Sequence, residues 1–136
     1  MTTRQDLIVR QGETYSFTWT KLSGGSAVNL TGYSARMSVR THFGGTQEVY
    51  LSDGSDADGG TITLGGAAGT VVLTMTAAET AALADAITGW IDDPAAEAGP
   101  RVAYIYDLEL VTGAGAVTRE LEGRLVVLRE VTEKWR

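Results

Sequence analysis

Apolar and polar residues alternate with period two along much of this chain, which predicts β-strands, because successive strand side chains point to opposite faces. In "TYSFTWT" the aromatics Tyr15, Phe17 and Trp19 share one face, with Ser16, Thr18 and Thr20 on the other, the pattern of a half-buried strand. "SGG" at Ser23 to Gly25 turns the chain, and the corner "NLTG" leads into a strand whose Tyr33, Ala35, Met37 and Val39 form one stripe. Ser34, Arg36, Ser38 and Arg40 form its other side, facing outward or toward a neighbour. A further strand is expected over Thr46 to Ser52, followed by the exposed, mobile loop "DGSDADGG". "TITL" and "TVVLTM", on either side of "GGAAG", read as a hairpin.

The period then changes. "TAAETAALADAITG" places Thr76 as N-cap and Glu79 three residues on, a capping box in which each side chain satisfies the other's backbone donor. Leu83 and Ile87 lie four apart on one face, and Gly89 is a suitable terminator, so one short helix is predicted. Asp92 to Pro100 reads as a surface connection, with Pro94 and Pro100 discouraging strand pairing. Beyond it, "RVAYIYDLELV" and "AVTRELEGRLVVLREVT" surround "TGAG" as a long hairpin. Val102, Tyr104, Tyr106, Leu108 and Leu110 form one stripe of its first arm; Ala103, Ile105, Asp107, Glu109 and Val111 form the other. Gly123 marks a bulge or bend in the second arm, and both faces near Leu125 to Leu128 look buried. The whole is mainly β, and an antiparallel β-sandwich with one short α-helix accommodates it, over a single domain of residues 1–136.

Composition narrows the function. Cysteine is absent, which removes disulfides, thiolate metal sites and thiol nucleophiles together. A formal charge of -6 argues against nucleic acid as a partner, and no apolar run resembles a signal-peptide core or a membrane span. A soluble protein without a classical export signal is expected.

Candidate chemistry is thin. His42 is the single histidine and has no activated nucleophile motif to serve, so it reads as a turn or surface residue. Asp53, Asp56 and Asp58 offer oxygen ligands, but in calcium-loop spacing the first and last anchors fall on Gly54 and Gly65, and a solvated loop is the better reading. "GGAAGT" lacks the lysine and the following helix of a phosphate loop. Asp107, Glu109, Glu120 and Glu122 could supply paired acids for an enzyme acting on sugars. Across antiparallel strands they read instead as surface charge partners of Arg101, Arg119 or Arg124. Trp19 belongs in the core; Trp90 and Trp135 are placed to anchor an interface. No catalytic residue, cofactor or metal ligand is assigned.

"QGETYSFTWT", "VNLTGYSARMSVR", "GTVVLTMTAAET", "YDLELV" and "EGRLVVLREVT", in that order, resemble the small tail and baseplate proteins of tailed bacteriophages, particularly the N-terminal domain of upper baseplate proteins. That resemblance implies an immunoglobulin-like β-sandwich that docks onto other virion proteins, as a symmetric oligomer in the assembled particle, made in the host cytoplasm and located in the tail or baseplate. It carries over no catalytic residue. In longer relatives such a domain precedes a stalk or receptor-binding region; with the last residue at Arg136, an adaptor, tail-tip subunit or decoration protein is expected. The candidate contact elements are the arm Thr2 to Leu7, the loop around Asp56, the loop from Asp92 to Pro100 with Trp90 before it, and the tail Lys134 to Arg136 with Trp135. Arg36 and Arg40 are available for neighbouring acids or a partner. The alternatives are a capsid decoration or head-to-tail component, and a carbohydrate-binding sandwich using Trp90, Tyr104 or Tyr106 as stacking platforms.

Overall fold

A computed structural model describes residues 2–40, 47–85 and 101–128. The alternating segments become strands at nearly the expected positions: β1 (Thr3–Arg4), β2 (Leu7–Arg10), β3 (Tyr15–Thr20), β4 (Leu22–Ser23), β5 (Ser26–Ala27), β6 (Ser34–Arg40), β7 (Gln47–Ser52), β8 (Thr61–Leu64), β9 (Thr70–Met75), β10 (Arg101–Val111) and β11 (Val117–Leu128). One helix, α1 (Ala77–Asp85), follows β9. The chain is mainly β with one short helix, and its principal sheet is curled.

That sheet runs β1-β11-β10-β6-β7-β8-β9-β3, with β2 also pairing with β11, while β4 and β5 form a small separate ribbon. Pairing is mostly antiparallel, but the expectation of a wholly antiparallel arrangement is corrected at three places. β1 and β2 run parallel to β11, and β7 meets β8 in parallel at Ser52 and Thr61. The arm Thr2 to Leu7, a candidate contact element, runs along the sheet edge with Thr2, Thr3, Arg4 and Asp6 exposed. Its end passes into β2, where Leu7 and Val9 alternate inward and are buried.

Inward stripes from both halves of the sheet meet in one core. β6 contributes Ala35, Met37 and Val39, and β10 contributes Tyr104, Tyr106, Leu108 and Leu110. From β9 come Val71, Leu73 and Met75, with Leu121, Leu125 and Val127 from β11. Tyr15, Phe17 and Trp19 pack against this cluster half-buried, as their single apolar face predicts. On β11 past Gly123, Leu125 and Val127 are buried and Val126 and Leu128 half-buried, so the second face there is only partly covered.

Local chemistry sets the corners. At "NLTG" the Asn29 Oδ1 accepts from the Thr31 backbone N–H at 3.0 Å and the Thr31 hydroxyl at 2.7 Å, while the Tyr33 N–H donates to the Leu30 carbonyl at 3.0 Å. Gly32, third in that turn, has φ of 84°, which glycine adopts without side-chain strain. The capping box of α1 is formed as expected: the Thr76 N–H donates to Glu79 Oε1 at 2.8 Å, and the Glu79 N–H to Thr76 Oγ1 at 3.1 Å. Leu83 is buried, and its carbonyl accepts from the buried Tyr104 hydroxyl at 2.5 Å. Thr80 is fully buried; its hydroxyl accepts from the Gly12 N–H at 3.0 Å and lies 3.0 Å from the Glu13 carbonyl. These contacts tie α1 to β10 and to the turn joining β2 to β3.

Candidate docking site

The outer face of the layer β2-β11-β10-β6-β7 carries most of the exposed chemistry. From β6 it receives Arg36, Ser38 and Arg40, and from β10 Ile105, Asp107 and Glu109. β11 adds Arg119, Glu122 and Arg124, and β1 adds Arg4, which lies in register with Glu122. With Arg10 of β2, which is exposed two residues on from Ile8, six of the chain's eleven basic residues stand on this face, among Asp107, Glu109 and Glu122.

Strict alternation would put Arg119 and Arg124 on opposite faces, five residues being an odd step. The structure shows why they coincide. Glu109 pairs with Arg119 whereas Leu108 pairs with Leu121, so Glu120 is an extra residue in β11, a β-bulge. Residues before and after it keep their outward set, while Glu120 and Leu121 are both buried. The bulge expected at Gly123 therefore lies at Glu120, a correction with a chemical consequence. Glu120 is no outer-face partner of Arg119 or Arg124; it points inward, is 3% exposed, and forms an ion pair with Lys21.

The other three acids do lie outside with arginines. Arg36 Nε donates to Glu109 at 2.7 Å, and Arg119 bridges Asp107 at 3.4 Å and Glu122 at 3.7 Å. The Glu109 contact and the local charge raise the already high pKa of Arg36 further, and the residue stays charged. The Asp107 carboxyl is held above the ordinary range, first because it is partly buried and then because Glu109 and Glu122 are close; Arg119 and Arg40 oppose that shift.

Between these side chains lies a groove of about 420 Å³. Its charged lining is Arg4, Arg40, Arg119 and Arg124 with Asp107 and Glu122; Ser38, Ile105, Tyr106 and Gly123 complete it. Behind it, the N-terminal arm crosses β11 at Gly123. The Gln5 N–H donates to the Glu122 carbonyl at 2.8 Å, the Arg124 N–H donates to Asp6 Oδ1 at 3.0 Å, and the Tyr106 hydroxyl donates to the Gln5 carbonyl. Burial pushes the Tyr106 phenol well above its usual range, with Tyr15 and Asp6 adding to the shift, so it keeps its proton and remains a donor.

No protein-family model matches the chain, and no curated protein matches it.

Of the residues expected at an interface, Arg36 and Arg40 share this outer face, and Arg40 lines the groove. Asp56 is exposed in the loop after β7, where its carboxylate accepts from the Ser52 hydroxyl at 2.5 Å. The same loop folds back on β7 through paired backbone bonds between Tyr50 and Asp58, and Asp53 accepts from the Ala35 N–H at 3.0 Å. Trp90, Asp92 and Trp135 lie outside the described residues, as does His42. Sequence reasoning missed Arg4 as a member of the face and Lys21 as the partner of Glu120. Neither had a local signal, because both contacts span about the length of the chain.

Tyr104 and Tyr106 are 0% and 4% exposed, their rings inside the core, so the stacking role considered for them is corrected.

Proposed function

We propose that this chain is a structural adaptor of a tailed-bacteriophage virion, a tail or baseplate subunit that works by rigid docking rather than by catalysis. The observation that carries the docking reading is the groove on the outer face of the β2-β11-β10-β6-β7 layer, where four arginines and two carboxylates are held on paired strands. Strands joined by ladders hold those side chains at fixed spacing, which favours a specific partner because little order must be imposed on binding. The virion assignment rests on the sequence resemblance.

The finer fold reading is an immunoglobulin-like sandwich. Supporting it, β2-β11-β10-β6-β7 and β8-β9-β3 follow the strand order of the two layers in variable-type immunoglobulin domains, with β3 as strand B and β10 as strand F. This chain departs from antibody domains in lacking the cysteine pair and in joining its layers through β7 and β8.

Mass spectrometry of purified phage particles, followed by cross-linking, tests the proposal. The chain is expected in intact particles at stoichiometric amount, with cross-links to tail or baseplate neighbours. Its absence from particles, or turnover of a cell-wall polymer by the purified chain, overturns the assignment.

A further inference from the structure

We propose that β3 pairs edge to edge with β3 of a second copy of this chain, the two strands running antiparallel about a two-fold axis. This seam belongs to the β8-β9-β3 layer, away from the groove, and does not depend on the virion reading.

An open edge supplies the first argument. β3 ends the principal sheet and, among the described residues, pairs only with β9, in an unbroken register from Tyr15 opposite Met75 to Thr20 opposite Thr70. Every second residue of an antiparallel strand points its backbone N–H and C=O away from that neighbour, and among the described residues no other backbone bond reaches residues 15–20. Soluble proteins blunt such edges with charge, proline or a bulge. At the far edge of the sheet, β1 and β2 carry Arg4 and Arg10, and the exposed Asp6 stands at the break between them. The β3 sequence "YSFTWT" carries no charge, proline, glycine or bulge. Six unguarded residues, most of them strong strand formers, are a template for a further strand.

Self-complementarity names that strand. In a two-fold pair centred on Phe17, Tyr15 of each copy stands opposite Trp19 of the other, Phe17 opposite Phe17 and Ser16 opposite Thr18. With the centre at Thr18, Phe17 meets Trp19 and Ser16 meets Thr20, so aromatic still faces aromatic and hydroxyl faces hydroxyl. The three aromatics are only half-buried against the core, and cross-strand neighbours from the second copy cover what the core leaves open.

Charge permits the pairing although each copy carries -6. The charged residues that flank β3 in sequence are Glu13 before it and Lys21 after it, and Lys21 is engaged by the buried Glu120. Centred on Phe17, the two Glu13 residues lie eight residue steps apart along the seam, roughly 27 Å, where salt screens their repulsion. The seam itself is about 20 Å long and one strand wide, far short of the about 800 Å² per partner of stable complexes. The pair therefore forms at high protein concentration and separates on dilution.

Sedimentation equilibrium of the full chain up to near-millimolar concentration, with amide exchange over residues 15–20, tests the seam. The wild type is expected to dimerise, and exchange over that segment to slow as concentration rises. Thr18 is exposed and lies diagonal to or opposite its own copy in the two registers, so Thr18→Lys and Thr18→Glu each bring like charges together and weaken the dimer by about tenfold. Mixing the two variants restores it, because opposite charges then meet. Circular dichroism confirms that each variant remains folded. A wild type that stays monomeric, a single variant that pairs like wild type, or a mixture that fails to recover overturns the proposal. Exchange over residues 15–20 that is slow in a monomeric wild type and quickens on deletion of residues 129–136 also overturns it and assigns the edge to the chain's own tail. Presence in particles is read separately, so failure of this pairing and failure of the virion reading are told apart.

Discussion

Gly123 and Gln5 touch where the N-terminal arm crosses the last strand: a Cβ on Gly123 would lie 2.6 Å from the Gln5 carbonyl oxygen and 2.8 Å from Asp6 Oδ1. Glycine is required there by proximity, because the nearest neighbour is backbone that cannot swing aside. Gly123→Ala is expected to push the arm off β11 and to weaken the bonds it makes with Tyr106, Glu122 and Arg124. A loss of about 2–3 kcal/mol in urea unfolding, with raised amide exchange over residues 3–10, is the expected result. Wild-type stability in this variant would show that the arm contributes nothing.

Lys21 and Glu120 test the bulge. Lys21→Met leaves a carboxylate 3% exposed without its cation, at a cost of roughly 3 kcal/mol. Joining it with Glu120→Leu removes the stranded charge, and the double variant is expected within about 1 kcal/mol of wild type. Arg36→Gln, which breaks an exposed pair with Glu109, costs only about 0.5 kcal/mol. Chemical denaturation of the variants ranks the two pairs.

The capping box predicts a smaller and more local effect. Thr76→Ala removes the side-chain acceptor of the Glu79 N–H, and about 1 kcal/mol of stability goes with it. Tyr104→Phe strands the Leu83 carbonyl at the other end of α1, with a loss of about 1–2 kcal/mol. Thermal melts followed by circular dichroism compare the two.

Asp107 sets a pH dependence of definite sign. Its pKa in the folded chain is raised above the ordinary 3.8, so the folded state binds this proton more tightly than the unfolded state does. Its contribution to stability is therefore greatest below that value and declines as pH rises through the folded pKa. Asp107→Asn removes this component, and the difference in unfolding free energy between variant and wild type should grow with pH across that window, in the variant's favour. A difference independent of pH would contradict the assigned shift.

Much of this architecture was legible because it is local. Period-two stripes placed β3, β6, β8, β9, β10 and β11, and Thr76 with Glu79 placed the start of α1, since pleat and capping geometry repeat within a few residues. Arg36 and Arg40 were assigned to the outward side of their strand on the same ground, and the structure places both there. What the chain's order of residues could not reveal was contact at long range. Parallel pairing of β1 and β2 with β11 has no connecting turn to announce it, and only the fold brings Gln5 over Gly123. One extra residue at Glu120 reverses the facing of everything beyond it relative to strict alternation, which buries an acid and gathers Arg119 and Arg124 onto one surface. A bulge changes side-chain direction without any distinctive residue type, so the groove exists only once the sheet has chosen its register.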